Sequence, residues 1–260
     1  MKYGQRTKTL VAMVPVLREL KTRRRSPGVE HRVFYTPSTD GVELFCTLLG
    51  RNREKAVVVA HPAIVGGYYK QVVALAEELS RSFSVAIFDF RGHGRSTGRC
   101  PLGFTMVSKD LEAVVERVRG MGFEKIGVAG FSMGAAAAML LASRDVCFDA
   151  LVSIGCPPRM PDIPLLEKHP RLVGAATRIL GMRLDPISDN GPCPIDAAER
   201  LPGIPKLLIF GEQEVVPSDE ISEFTELVSE PKSVLTVPGA WHADLMGREG
   251  LVREWLEENL

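Results

Sequence analysis

The chain has 260 residues, 45% of them hydrophobic and 25% charged, which fits one large globular α/β domain and excludes a disordered or low-complexity chain. Thirty-two Lys+Arg balance 32 Asp+Glu, so net charge gives no reason to expect nucleic acid as a partner. The five cysteines are scattered with no CxxC pair, which argues against a zinc site or a disulfide framework and makes a reducing cytoplasm the simplest setting.

Residues 1–29 read as a basic amphipathic arm. Lys2, Arg6, Lys8, Arg18, Lys21, Arg23, Arg24 and Arg25 face a single acid in the first 25 residues, Glu19. The apolar run of residues 10–17 between them is too short to span a bilayer, and no small-residue cleavage site follows it. Two uses stay open: a weak membrane-surface contact, or packing on its own domain or a neighbouring subunit.

Residues 30–260 form the expected catalytic domain. A β-hairpin is predicted over 31–49, turning at Thr39-Asp40-Gly41. Strands at 56–60, 85–90, 126–129, 150–154, 206–210 and 233–237 then alternate with helices at 71–79, 107–119, 133–143, 219–230 and 251–259. Such alternation predicts a mostly parallel central sheet with helices on both faces. The Pro-rich stretch of about 157–204 breaks the rhythm. It is too long for an ordinary loop and reads as a small cap with one helix over 171–184.

The pentapeptide Gly-x-Ser-x-Gly occurs twice. Gly94-Arg95-Ser96-Thr97-Gly98 has turn-like residues on both sides. Gly130-Phe131-Ser132-Met133-Gly134 follows a strand and precedes an alanine-rich helix, the setting in which a serine sits on a sharp turn as a nucleophile. Ser132 is therefore the nucleophile candidate and Ser96 a loop residue. A hydroxyl needs a base oriented by a third group. His242 follows the last predicted strand and comes after the serine, whereas His31, His61, His93 and His169 sit at less suitable places. For the orienting acid, Glu212, Glu214 and Asp219 all follow the strand at 206–210. Two backbone N–H groups would form the oxyanion hole: Met133, after the serine, and Ala63, in the loop after strand 56–60, where Pro62 has no N–H.

These motifs resemble the α/β-hydrolase superfamily, in its serine esterase and lipase branch, from about residue 30 to the C-terminus. The resemblance rests on His61-Pro62, Asp89-Phe90-Arg91-Gly92-His93-Gly94-Arg95-Ser96, the elbow around Ser132, and Gly239-Ala240-Trp241-His242. It implies an α/β-hydrolase fold and a triad of Ser132, His242 and an acid, with Asp89 and His93 structural. Counting forward from Gly211 reaches Glu214, while counting back from Val216-Pro217 reaches Gln213, so the acid loop is one residue shorter than the family pattern. Glu214 is the preferred acid. The implied activity is cleavage of carboxylic esters through an acyl-enzyme, on a small-molecule ester or acyl substrate. A binding protein on the same fold, or another triad enzyme such as a thioesterase, peptidase, acyltransferase, C–C hydrolase or cofactor-free haloperoxidase, is the alternative. No motif calls for a metal, nucleotide or flavin cofactor.

Overall fold

The computed structural model describes residues 25–144, 148–160, 170–179 and 181–260. Most of the expected arm, His169 and Cys147 lie outside the described residues.

Eight strands form one sheet: β1 (His31–Pro37), β2 (Glu43–Leu49), β3 (Lys55–Ala60), β4 (Ser84–Phe88), β6 (Lys125–Phe131), β7 (Ala150–Ile154), β9 (Lys206–Gln213) and β10 (Lys232–Trp241), in the order β1-β2-β4-β3-β6-β7-β9-β10. β1 pairs antiparallel with β2, and β2 with β4. Every pairing from β4 onward is parallel. The sequence-based expectation of a mostly parallel sheet therefore holds. The hairpin turn closes through the Ser38 N–H to the Val42 carbonyl at 2.8 Å, with Gly41 at φ 82°, a left-handed value that glycine tolerates.

The helices are α1 (Lys70–Leu79), α2 (Thr105–Arg119), α3 (Met133–Arg144), α4 (Pro170–Ile179), α5 (Pro194–Ala197), α6 (Ser218–Leu227) and α7 (Glu249–Asn259). The two-residue period of a strand divides β3 between two cores. Ala56, Val58 and Ala60 pack with α2, α3 and Phe224 of α6. Val57 and Val59 pack with Val72, Val73 and Leu75 of α1 and with Val252 and Leu256 of α7. A strand buried on both faces must be apolar throughout, which is why residues 56–60 read as a continuous apolar run.

The Pro-rich stretch departs from expectation. Its helix ends at Ile179 rather than running to 184. Gly181 adopts φ 93° and sends its N–H to the Arg178 carbonyl at 3.1 Å, a left-handed stop that ends a helix. The chain then extends as β8 (Leu184–Ser188), which pairs in parallel with the three-residue β5 (Cys100–Leu102). The short α5 starts on Pro194, where the missing N–H costs nothing, and leads through a 3₁₀ turn, Ala198–Arg200. Ala197, Ala198 and Leu201 are buried in the same core as α3.

Candidate active site

The turn around Ser132 is built by removal of side chains. β6 ends at Phe131 and α3 starts at Met133, so Ser132 alone makes the reversal, at φ 49°. A non-glycine residue in the left-handed region is strained and persists only where its surroundings hold it. The Ser132 N–H donates to the Ile154 carbonyl at 2.8 Å, and the Ser132 carbonyl accepts from the Ala136 N–H at 2.9 Å. The flanking glycines permit this closeness. A Cβ on Gly130 would sit 2.5 Å from the Ala135 nitrogen, and one on Gly134 would sit 2.4 Å from the Ala60 carbonyl oxygen. Ser132 is half-buried.

β10 delivers His242 to this serine. Trp241 pairs with Gln213 and Val237 with Gly211, so four steps along β10 oppose two along β9. That bulge contains Gly239 at φ 72°. His242 follows directly, with Nε2 2.9 Å from Ser132 Oγ and Nδ1 2.6 Å and 3.1 Å from the two Glu214 carboxylate oxygens. An ionised carboxylate only accepts, so Nδ1 carries the proton and Nε2 is left to accept from the serine hydroxyl. The Glu214 side chain is 5% exposed and that of His242 23%.

Of the three carboxylates considered from sequence, Glu214 alone is hydrogen-bonded to His242. Glu212 instead accepts the Gly239 N–H at 2.8 Å, which braces the bulge that leads to the histidine. Asp219 lies in the first turn of α6. β9 runs three residues past its expected end, through Gln213. Glu214 is therefore the first residue beyond the strand.

Ser96, in the second pentapeptide, is 1% exposed and fully used: its hydroxyl donates to the Asp89 carbonyl and accepts the Phe45 N–H at 2.8 Å. Asp89 is buried beside it and accepts the Gly67 and Arg95 N–H groups at 2.7 Å and 2.8 Å, joining the loops after β3 and β4. Ala63 is half-buried in the loop after β3. The next residue, Ile64, adopts φ 73° and donates its N–H to His93 Nε2 at 3.3 Å. Met133 opens α3, so its N–H is among the first-turn donors that lack a partner within the helix.

Sequence reasoning did not find the ionic cluster in which buried Arg91 and Asp110 meet the exposed Asp40. Arg91 reaches Asp110 at 2.7 Å and Asp40 at 2.7 Å. Burial raises the Asp110 carboxyl above its ordinary range, opposed by Arg91. The three residues stand far apart in sequence and form no local motif. Among the described residues no group of His, Cys, Asp and Glu is arranged to hold a metal ion, and no helix is long and apolar enough to cross a membrane.

A family model described as the alpha/beta hydrolase fold matches residues 56–174. Among solved structures, the Pyrococcus furiosus esterase Pf2001 is similar at 21% identity and a TM-score of 0.71, covering 91% of this chain and 98% of its own. A thermophilic esterase from Thermogutta terrifontis, solved with malate bound, gives 20% and 0.66 over 87% and 98% of the two chains. Est1E from Butyrivibrio proteoclasticus, solved with ferulic acid bound, gives 19% and 0.65 over 86% and 98%. No curated protein matched. The chain has the α/β-hydrolase fold, as its motifs imply, and its structural neighbours include esterases.

Proposed function

We propose that this protein is a serine hydrolase of carboxylic esters. The observation that carries the reading is the continuous relay from Glu214 through His242 to Ser132, with contacts of 2.6 Å and 2.9 Å on the two ring nitrogens. That is the distance range a base needs to take a proton.

Ser132 Oγ attacks the ester carbonyl carbon while His242 Nε2 accepts its proton. Glu214 holds the ring in the Nδ1–H tautomer and stabilises the imidazolium that forms. The carbonyl oxygen becomes an oxyanion, met by the backbone N–H groups of Ala63 and Met133. One such donor is worth about 3–4 kcal/mol of transition-state stabilisation. The tetrahedral intermediate collapses, and His242 returns the proton to the departing alkoxide, which leaves as the alcohol. Water then attacks the acyl-enzyme with His242 again as base, releasing the acid and restoring Ser132. The Pro-rich stretch of about 157–204 acts as the cap that selects the ester. The esterase activity of the structural neighbours supports the same chemistry.

Steady-state hydrolysis of a short-chain aryl ester tests this reading. Ser132→Ala is expected to lower kcat by about 10⁴- to 10⁶-fold, as loss of a triad nucleophile does. Turnover that survives the substitution would remove Ser132 from the mechanism.

A further inference from the structure

Two buried histidines outside the relay, His61 and His93, stitch the loop after β3 to the loop after β4. Both side chains are wholly inaccessible, with ring centroids 4.9 Å apart and planes at 66°. His61 Nε2 accepts the Phe90 N–H at 2.9 Å, and its Nδ1 lies 2.7 Å from the Pro62 carbonyl. His93 Nδ1 donates to the Arg91 carbonyl at 2.9 Å, and its Nε2 accepts the Ile64 N–H at 3.3 Å. A ring nitrogen that accepts a backbone N–H carries no proton of its own, so each imidazole serves as a neutral Nδ1–H tautomer. Burial, with His61 beside it, pushes the His93 pKa down to about 3.

The His93 bond falls on a strained amide. Ile64 is β-branched and held at φ 73°, a conformation such residues adopt only under constraint. Fixing the Ile64 N–H fixes the Ala63–Ile64 peptide plane. The backbone of His93 is tied in another direction. It forms a bridge with Met182, while the Arg183 N–H reaches the Gly92 carbonyl at 2.6 Å and the Gly94 N–H reaches the Gly181 carbonyl at 3.3 Å. The Arg183 guanidinium adds bonds to the Ser96 and Gly98 carbonyls. His93 therefore stands between the returning segment of the Pro-rich stretch and the loop that contains Ala63.

We propose that His93 is a positioning residue: its Nε2 holds the Ala63–Ile64 peptide, and so sets, across the Ala63 Cα, the neighbouring Pro62–Ala63 peptide whose N–H faces the oxyanion, and it joins that donor to the returning segment of the Pro-rich stretch. This rests on the serine-hydrolase reading for its catalytic part and on backbone geometry alone for its structural part.

The test compares His93→Phe, which fills space without an acceptor, with His93→Gln, whose side-chain oxygen reaches the Nε2 position. Turnover is expressed per Ser132 titrated by a fluorophosphonate, so loss of folded protein does not count. His93→Phe is expected to lower kcat by about 10- to 100-fold, part of what full loss of an oxyanion donor costs. KM should change by less than about threefold, because the donor acts in the transition state. His93→Gln should recover most of the loss. Amide hydrogen exchange over residues 61–67 should quicken in His93→Phe and return toward wild type in His93→Gln, with β3 unchanged. Unchanged turnover per titrated serine, equal losses in the two variants, or unchanged exchange over 61–67 would overturn the proposal. If the wild-type protein cleaves no ester, the serine-hydrolase reading fails, and the exchange result still decides whether His93 holds the loop. If His93→Phe does not fold, ¹⁵N spectra of the wild-type ring decide. A neutral Nδ1–H ring with an accepting Nε2 at about pH 5 is expected, and an Nε2–H tautomer or a ring charged at that pH overturns the idea. His61, Asp89 and Arg183 are the titratable groups facing that ring.

Discussion

Glutamate carries one methylene more than aspartate, and at position 214 that length closes the distance to His242. The residue starts directly beyond β9, and its carboxylate spans to Nδ1 at 2.6 Å. Glu214→Asp would withdraw the carboxylate by about 1.5 Å, the length of one C–C bond. We expect kcat for an aryl ester to fall by about 100-fold, since a misplacement of roughly 1 Å can cost that much. Glu212→Gln, at a side chain that accepts the Gly239 amide, should stay within a few-fold of wild type; a loss as large as that of Glu214→Asp would reassign the acid. The serine and histidine were legible in the sequence because each has a local mark: a strand, turn and helix around Ser132, and a strand end before His242. The acid had none. Three carboxylates lie within eight residues after Gly211, and the length of β9 and the bulge in β10 determine which one turns inward. The bond of His93 to Ile64 joins residues 29 apart and has no sequence signature.

The elbow shows how two elements share one constraint. α3 crosses β3 so closely that Gly134 has backbone where a Cβ would go, 2.4 Å from the Ala60 oxygen and 2.7 Å from its carbon. Gly134→Ala must therefore push the first turn of α3 off the sheet and move Ser132 with it. We expect a loss of about 1–3 kcal/mol in denaturant unfolding, the usual cost of overpacking, together with loss of the proposed ester turnover. Ala137→Gly, which opens space on the same helix, should cost about 1 kcal/mol through propensity and cavity while leaving turnover per active site intact. Equal turnover in both variants would contradict this account of the elbow. The large elements were readable because apolar runs and helical stripes are local. The pairing of β5 with β8 was not: β5 has three residues, one of them Pro101, and its partner lies within the Pro-rich stretch. Helix propensity carried the expected helix past Gly181, where the left-handed backbone and the bonds of Arg183 to the β4 loop impose an extended chain instead.

At the scale of the whole molecule, the histidine buried between loops makes stability depend on acid. The folded state holds His93 near pKa 3, whereas an unfolded histidine titrates near 6.5. Between these values the unfolded chain binds the extra proton, so this contribution to stability is full above about pH 6.5 and declines as pH falls toward 3. Thermal unfolding should therefore drop in midpoint below about pH 6.5, and His93→Gln should flatten part of that slope. An identical pH dependence in the variant would show that His93 is not the group responsible. The choice between the two Gly-x-Ser-x-Gly segments is the choice between a half-buried serine facing His242 and a buried serine consumed by backbone bonds. Peptide mapping by mass spectrometry after fluorophosphonate treatment reads that choice directly. The account predicts a single adduct on Ser132, with none on Ser96 and none in Ser132→Ala; an unmodified Ser132, or an adduct on Ser96, would contradict it.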